Sequence, residues 1–304
     1  MKKTLRFLIC ILALLLAFPK PMTAMAAGLN VQEKCSLTLH YAKDGTPYPD
    51  LEIRIFQVAA YKSDGSYEAT DRFAKYPVKI HNIRSQKEWQ ESTQALVAYI
   101  EADDLTPTAT GKTDDTGTVV FQDLSVGLYL VMGADARTED GIFRFQPFFV
   151  FLPTPEENGS YNYHVEANPK PGTVTPISQY KVVKLWKDSG NKKNRPEKVS
   201  VEILKDGVLQ ETVELNPDNN WSYSWETTDV DSQWRVVEKD VPSGYTVSVS
   251  SQNGTFTITN VYPQKEVSPP KTGDSSGVQY YIAAMCVSGL MLVILGSLGK
   301  RRRL

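Results

Sequence analysis

The chain has 304 residues, a length that accommodates about two ordinary domains. Hydrophobic residues make up 41% of it and charged residues 22%, which excludes a chain that is disordered throughout or embedded wholly in a membrane. The formal net charge is -2, but eight basic residues lie at the two ends, so residues 27–272 carry about -9 and a nucleic-acid-binding surface is excluded.

Cysteine usage excludes a small fold held together by disulfides. Three cysteines are present, and two of them, Cys10 and Cys286, lie in apolar terminal segments. Cys35 is the one cysteine left for the rest of the chain, so no intrachain disulfide can form there.

Residues 1–26 are typical of an export signal peptide. Lys2, Lys3 and Arg6 form its charged start, and an apolar stretch follows from 7 to 18. That stretch is too short to cross a bilayer, which takes about 20 residues. The small residues that follow predict cleavage after Ala26, so we expect the mature chain outside the cytoplasm.

Residues 27–170 are predicted to form a first β-sandwich domain. Apolar and polar residues alternate in its early part, and short apolar runs with the same periodicity continue to its end. The strands are expected at 35–41, 51–55, 118–121, 128–131, 148–152 and 161–165.

One helix is predicted to interrupt this first domain. Ser85 and Glu88 have the spacing of a capping box, and Trp89, Leu96 and Ile100 fall on one face of a helix. We therefore expect a helix over residues 86–101 that packs on the sandwich, with Trp89 as a core residue.

A proline-rich segment ends the first domain, and a linker is predicted over residues 171–177. The preceding segment, 163–171, resembles the end of a pilin domain, where a Tyr-Pro-Lys-type motif supplies the lysine that sortase joins to the next subunit. Asn168 stands in the place of the tyrosine. The resemblance implies an inter-subunit linkage at Lys170, which lies between Pro169 and Pro171. A solvated linker lysine is the alternative.

Residues 178–262 are predicted to form a second domain with the Ig-like sandwich fold. About seven short strands fit into about 85 residues, with turn-forming pairs such as Asn253-Gly254 between some of them. The strands are expected at 182–186, 199–204, 211–214, 221–225, 234–238, 245–248 and 256–260. The expected fold class is therefore all-β, with two tandem Ig-like β-sandwich domains, the first carrying a helical insertion.

Four ordered motifs of the second domain resemble the collagen-adhesin B-type (CNA-B) domain. They are Lys184-Leu185-Trp186, Trp221-Ser222-Tyr223, Trp234-Arg235-Val236-Val237-Glu238 with Pro242-Ser243-Gly244-Tyr245, and Thr257-Ile258-Thr259-Asn260. In that family a lysine of the first strand, an asparagine of the last strand and a glutamate of the so-called E-box form a spontaneous intramolecular isopeptide bond. The resemblance implies that Lys184 and Asn260 are joined and that Glu238 relays the proton.

The chemistry of such a bond requires these residue types. A lysine amine is a nucleophile only when it is neutral, and burial disfavours its charged form. A buried glutamate stays protonated, so it can polarise the asparagine carboxamide and relay a proton while ammonia leaves. The alternative interpretation takes the three residues singly. A strand lysine is ordinarily solvated, a strand glutamate is ordinarily exposed, and Thr-Asn at a strand end is common in turns.

The first domain resembles the related sandwich domains of pilin subunits, more weakly, over residues 116–131. Counting from Tyr129 as from Trp234, the place of the E-box glutamate falls on Gly133. Because an acid is missing there, we expect no isopeptide bond in the first domain.

The last segments resemble the tripartite sorting signal of Gram-positive wall proteins. Within a proline-rich stalk, 263–277, the sequence Pro269-Pro270-Lys271-Thr272-Gly273 resembles Leu-Pro-x-Thr-Gly with proline at the first place. Residues 278–298 are apolar and long enough for a transmembrane helix, and the basic tail, 299–304, stays cytoplasmic. The resemblance implies attachment by sortase to cell-wall peptidoglycan. The alternative is a proline-rich stalk before an ordinary membrane anchor.

Together these features predict a non-enzymatic cell-surface protein, a sortase-anchored ancillary or basal pilus subunit whose partners are sortase, peptidoglycan and other pilin subunits. The alternative is a monomeric wall-anchored adhesin whose first domain binds a host surface protein. An exported enzyme is disfavoured, because His40, His81 and His164 are scattered and no metal-ligand spacing, nucleophile elbow or phosphate loop is present. We expect no cofactor and no metal.

Overall fold

The computed structural model describes residues 29–62, 64, 66–189 and 191–263. Strands predominate among them, with one α-helix, α1 (Gln86–Ala102). The predicted signal peptide, sorting motif, transmembrane helix and basic tail lie outside the described residues. Within the described part of the chain, no helix is both long and apolar enough to cross a membrane.

Fifteen strands come from the N-terminal part of the described chain. They are β1 (Cys35–His40), β2 (Ala42–Lys43), β3 (Thr46–Pro47), β4 (Glu52–Tyr61), β5 (Tyr67–Ala69), β6 (Ala109–Lys112), β7 (Thr118–Leu124), β8 (Gly127–Gly133), β9 (Ala136–Thr138), β10 (Gly141–Phe145), β11 (Phe148–Leu152), β12 (Thr154–Pro155), β13 (Tyr161–Asn162), β14 (His164–Ala167) and β15 (Pro171–Thr173). We call the sheets that they form the first sandwich.

Two main sheets enclose the core of the first sandwich. One has the order β14-β1-β7, and the other has the order β11-β8-β4-β5 with β6 also paired to β4. Inward and outward residues alternate along β1, where Leu37 and Leu39 are fully buried. They meet Ile53 and Ile55 of β4 in one apolar core.

The predicted linker, 171–177, begins inside this fold. Residues Pro171–Thr173 form strand β15, which pairs antiparallel with β10. The Pro171-Gly172 pair that suggests a linker is also compatible with a short edge strand, where a proline needs no ladder hydrogen bond.

Seven strands form the second sandwich. They are β16 (Gln179–Lys187), β17 (Val199–Lys205), β18 (Val208–Leu215), β19 (Ser222–Glu226), β20 (Trp234–Glu238), β21 (Thr246–Gln252) and β22 (Thr255–Val261). One sheet has the order β19-β16-β22-β21 and the other β18-β17-β20. The first and last strands, β16 and β22, are parallel neighbours. The chain segments that begin and end this sandwich therefore run side by side.

Helix α1 starts where the sequence predicts, because Ser85 is its N-cap and accepts a hydrogen bond from the Glu88 N–H at 3.2 Å. The helix contacts the first sandwich at β11, where the half-buried Trp89 ring packs against Phe149 and Phe151. It also packs on β20 and β21 of the second sandwich. The sequence prediction of packing on one sandwich was therefore incomplete.

Candidate functional site

Lys184, Glu238 and Asn260 come together inside the second sandwich. The alternation of buried and exposed residues along β16 and β22 turns Lys184 and Asn260 inward, and the register pairs Lys184 with Ile258 and Trp186 with Asn260. Glu238 is the last residue of β20 in the facing sheet. The three residues are 3%, 1% and 0% exposed, although their residue types are ordinarily solvated.

The Glu238 carboxyl lies between two nitrogen atoms. Its Oε2 is 3.5 Å from Lys184 Nζ, and its Oε1 accepts a hydrogen bond from Asn260 Nδ2 at 2.7 Å. The Lys184 amine also donates to the Leu185 carbonyl at 3.0 Å. Glu238 Oε2 and Asn260 Oδ1 have no hydrogen-bond partner among the described residues. Each carboxyl oxygen thus faces a different nitrogen.

Burial pushes both ionisable groups towards their neutral forms. Desolvation, with a smaller contribution from nearby Arg195, lowers the pKa of Lys184 to about 8 against the opposing attraction of Glu238. Desolvation likewise raises the pKa of Glu238 above its ordinary value, although Lys184 and Asn260 oppose the rise. A neutral amine beside a protonated carboxyl is the pair that nucleophilic attack on an amide needs.

Aromatic rings cover the lysine. Lys184 Nζ lies 3.9 Å from the centre of the Trp186 ring, and that ring makes edge contacts with Trp221 at 5.7 Å and Tyr245 at 5.4 Å. All three aromatic residues belong to the sequence motifs that resemble the CNA-B domain. They keep water away from the amine and so maintain the low pKa.

Sequence reasoning missed an ion pair that supports this cover. Arg195 donates to both carboxyl oxygens of Asp188, at 2.7 and 2.6 Å, and the Tyr245 hydroxyl donates to Asp188 Oδ2 at 2.9 Å. Lys184, Trp186 and Asp188 are spaced two residues apart, so their side chains are expected on the same inward face. This alternation could have revealed Asp188 from the sequence. Arg195 lies in a loop without periodicity, so no pattern pointed to it.

A second missed contact comes from helix α1. The Tyr99 hydroxyl, 139 residues from Glu238 in sequence, donates to the Glu238 carbonyl oxygen at 2.6 Å. Local periodicity cannot reveal a contact over that separation.

The first sandwich has a different residue set at the corresponding place. The Tyr41 N–H donates to Gly117 O at 2.8 Å, as the Lys184 N–H donates to Trp221 O at 2.9 Å, so Tyr41 occupies the backbone position of the lysine. A Cβ placed on Gly133 would lie 3.3 Å from Tyr41 Cε1. The ring fills the space that an acid at residue 133 would need.

The other predicted site residue within the described part of the chain is Lys170. It is exposed, between Pro169 and Pro171, and does not belong to the Lys184 cluster. The sorting motif, Pro269–Gly273, lies outside the described residues. Among the described residues there is no group of three or more histidine, cysteine, aspartate or glutamate side chains that could hold a metal ion.

Comparison with known proteins gives a family match for the second sandwich. Residues 180–261 match the family model of the Cna protein B-type domain, so this part of the chain is similar to that domain. A curated relative, the collagen adhesin of Staphylococcus aureus, is 29% identical over 231 residues, which are 68% of this chain and 18% of that protein. The chain thus spans less than a fifth of the length of this relative.

Solved structures with similarity to the chain include one B repeat unit of the collagen-binding surface protein of Staphylococcus aureus. The two are 16% identical, the match covers 76% of this chain and 100% of that one, and the TM-score is 0.27. The major pilin SpaD of Corynebacterium diphtheriae has 19% identity, coverage of 76% and 65%, and a TM-score of 0.33. The shaft pilin SpaA of Lactobacillus rhamnosus GG has 14% identity, coverage of 77% and 99%, and a TM-score of 0.28.

Proposed function

We propose that this chain is a structural subunit of a Gram-positive pilus, anchored by sortase and stiffened by an isopeptide bond between Lys184 and Asn260. The observation that carries the proposal is the buried cluster of Lys184, Glu238 and Asn260 within a Cna B-type domain. A lysine and a glutamate are almost never fully buried without a specific reason, and a bond-forming reaction supplies one.

The geometry supports a defined sequence of proton transfers. Glu238 starts protonated, and the lone pair of Lys184 Nζ attacks Asn260 Cγ. As a proton of the amine passes to Glu238 Oε2, 3.5 Å away, the carboxyl proton passes from Oε1 to Asn260 Nδ2, 2.7 Å away. The Cγ–Nδ2 bond breaks, ammonia leaves, and an amide joins the two side chains. The reaction occurs once in each molecule, and Glu238 ends in its starting protonation state.

The proposed bond has a mechanical purpose. It would join β16 to β22, the first and last strands of the second sandwich, which already lie side by side. Tension that enters at residue 179 and leaves after 261 would then pass through covalent bonds instead of the sheets. Cys35 is the one cysteine outside the apolar terminal segments, so no intrachain disulfide can reinforce the rest of the chain. The proposed bond would take that reinforcing role.

Intact mass tests this reaction directly. The wild-type chain is expected to be lighter by one ammonia than its sequence mass after any signal-peptide cleavage, and the Glu238→Ala variant is expected to have the full sequence mass. A wild-type chain of full sequence mass would contradict the reaction.

Attachment and assembly are the second half of the proposal. Sortase would cleave between Thr272 and Gly273 and join the chain to peptidoglycan or to another subunit. Lys170, exposed between two prolines, is proposed as the amine that accepts the next subunit. A proline on each side holds the backbone extended and keeps the side chain accessible.

A second candidate function is that of a monomeric wall-anchored adhesin. The observation that favours it is the match to a protein named collagen adhesin, and the first sandwich would then bind a host surface protein. The two functions differ in whether Lys170 is used for linkage.

Cell-wall extracts distinguish the two functions. The pilus proposal predicts a ladder of high-mass species that disappears in Lys170→Arg and persists in Lys181→Arg, which changes another exposed lysine in the same way. A single wall-linked species in the wild type, unchanged by Lys170→Arg, would support the adhesin.

A further inference from the structure

The helical insertion of the first sandwich closes one side of the second. Strands β20 and β21 are the edges of the two sheets of the second sandwich, and α1 packs on both. The segment before the helix also covers the edge of β21, where the Val247 N–H donates to the Pro77 carbonyl at 2.7 Å. The strand that carries Glu238 is therefore covered by residues of the first sandwich. Folded proteins commonly cover the edge strands of their sheets in this way.

The Glu238 carbonyl points towards this helix. Glu238 is paired with Val201 of β17, and the adjacent Lys239 N–H donates to the Ser200 carbonyl at 3.2 Å. In an antiparallel ladder, hydrogen-bonded and non-hydrogen-bonded pairs alternate, so the Glu238–Val201 pair is of the second kind. The Glu238 carbonyl thus faces away from β17, and the Tyr99 hydroxyl is its partner at 2.6 Å.

Tyr99 is well suited to hold this carbonyl. Its side chain is buried, its ring lies 4.8 Å from that of Tyr76, and burial raises its pKa, so the hydroxyl keeps its proton. Two ion pairs fix the C-terminal end of the helix to β20 and to the residue that follows it. Glu101 accepts from Arg235 Nε at 2.7 Å, and Asp103 accepts from Lys239 Nζ at 3.0 Å.

We propose that Tyr99 is a positioning residue for the isopeptide reaction, through which the first sandwich holds the Glu238 carboxyl between the attacking and leaving nitrogen atoms. This inference rests on the proposed function. Its consequence is an order of events: the second sandwich reacts efficiently only after α1 has docked, so the covalent bond forms in chains whose two sandwiches are assembled.

The test measures the rate of bond formation in the full chain. Newly synthesised, pulse-labelled chain is quenched in hot detergent at successive times, and the cross-linked peptide containing Lys184 and Asn260 is quantified after digestion. Tyr99→Phe keeps the ring and removes one hydrogen bond. We expect it to slow the reaction on the order of tenfold, because displacements well below 1 Å matter for reacting groups.

A matched variant separates positioning from general stability. Tyr129→Phe removes another hydroxyl that donates to a backbone carbonyl, that of Ser125 at 2.8 Å, within the first sandwich and away from Glu238. It is expected to react at the wild-type rate. On the acid side of the profile, the pH at which the rate rises to half of its maximum should be the same in both variants, since neither touches Lys184.

Each result has a definite meaning. A Tyr99→Phe chain that reacts at the wild-type rate overturns the inference, as does a Tyr129→Phe chain that is slowed equally. If Tyr99→Phe does not fold, Glu101→Gln loosens the same helix end and is expected to slow the reaction by a smaller factor; no slowing would count against the inference. A wild-type chain without any cross-link refutes the proposed function instead.

Discussion

The two sandwiches have related frameworks but differ at one place inside them. In each, an early strand is the parallel neighbour of a late one, β1 with β14 and β16 with β22. The second sandwich has Lys184 and Glu238 at the place where the first has Tyr41 and Gly133. The shared framework brings two positions together, and the residue types at those positions decide whether the result is a reactive pair or apolar packing.

At the place where a covalent bond is proposed in the second sandwich, the first sandwich has aromatic packing. The Tyr41 ring makes an edge contact with Phe145 at 4.7 Å between ring centres, and both residues are buried. An aromatic pair of this kind contributes about 0.5–1.5 kcal/mol beyond the area that it buries. A covalent cross-link that closes a loop of about 77 residues would contribute about 4–5 kcal/mol in a chain-entropy model. The second sandwich would thus be the reinforced one.

The largest expected effect comes from removing the proposed proton relay. Glu238→Gln keeps the shape of the side chain but cannot accept a proton from Lys184, so the cross-link should form about 10²–10⁴-fold more slowly. The rate is measured from the fraction of cross-linked peptide at successive times. Glu202→Gln, at a partly exposed glutamate of the neighbouring strand, should leave the rate unchanged. Equal rates in Glu238→Gln and wild type would remove Glu238 from the mechanism.

Removing the proposed nucleophile tests the stability difference between the sandwiches. Lys184→Met prevents the bond and replaces a buried amine by an apolar side chain of similar length. Burial raises the pKa of Glu238 and so favours its neutral form, so no unpaired charge is left and the fold itself should persist. The loss of about 4–5 kcal/mol predicts a Tm lower by on the order of 10 °C. Calorimetry measures this shift. An unchanged Tm would show that the second sandwich gains no stability from a cross-link.

The pH dependence of the reaction follows from the lowered pKa of Lys184. Below about 8 the amine is mostly charged, so the neutral fraction, and with it the rate, should rise roughly tenfold for each pH unit up to that value. Ionisation of Glu238, whose pKa burial raises, should lower the rate, so the full profile is expected to be bell-shaped. Pulse-labelling over a pH series measures it. A rate that does not change with pH below 8 would contradict attack by the neutral amine.

The smallest effect belongs to the first sandwich. Gly133→Ala adds a Cβ that lies 3.3 Å from both Ile53 Cδ1 and Tyr41 Cε1, so it should destabilise the fold by about 1–3 kcal/mol through overpacking. Gly172→Ala is the control, because its Cβ would come no closer than 3.8 Å to another group. Chemical denaturation compares the two variants. A neutral Gly133→Ala would mean that the place facing Tyr41 has spare room.

The sequence predicted the features that depend on local pattern. Alternation predicted seven strands for the second sandwich, the capping residue Ser85 predicted the start of α1, and family motifs selected Lys184, Glu238 and Asn260. The docking of α1 on a second surface was missed, although the consecutive apolar residues 95–100 indicate a helix buried on more than one side. The Tyr99–Glu238 contact could not be predicted, because it depends on how two distant segments pack.

The most direct test of the central claim is peptide mass spectrometry of the denatured and digested chain. We expect one species that contains both the Lys184 peptide and the Asn260 peptide and is lighter by one ammonia than their sum. This species should be absent from Glu238→Gln chains quenched soon after synthesis. Recovery of Lys184 and Asn260 on separate peptides of unmodified mass, from wild-type chain that is fully folded, would contradict it.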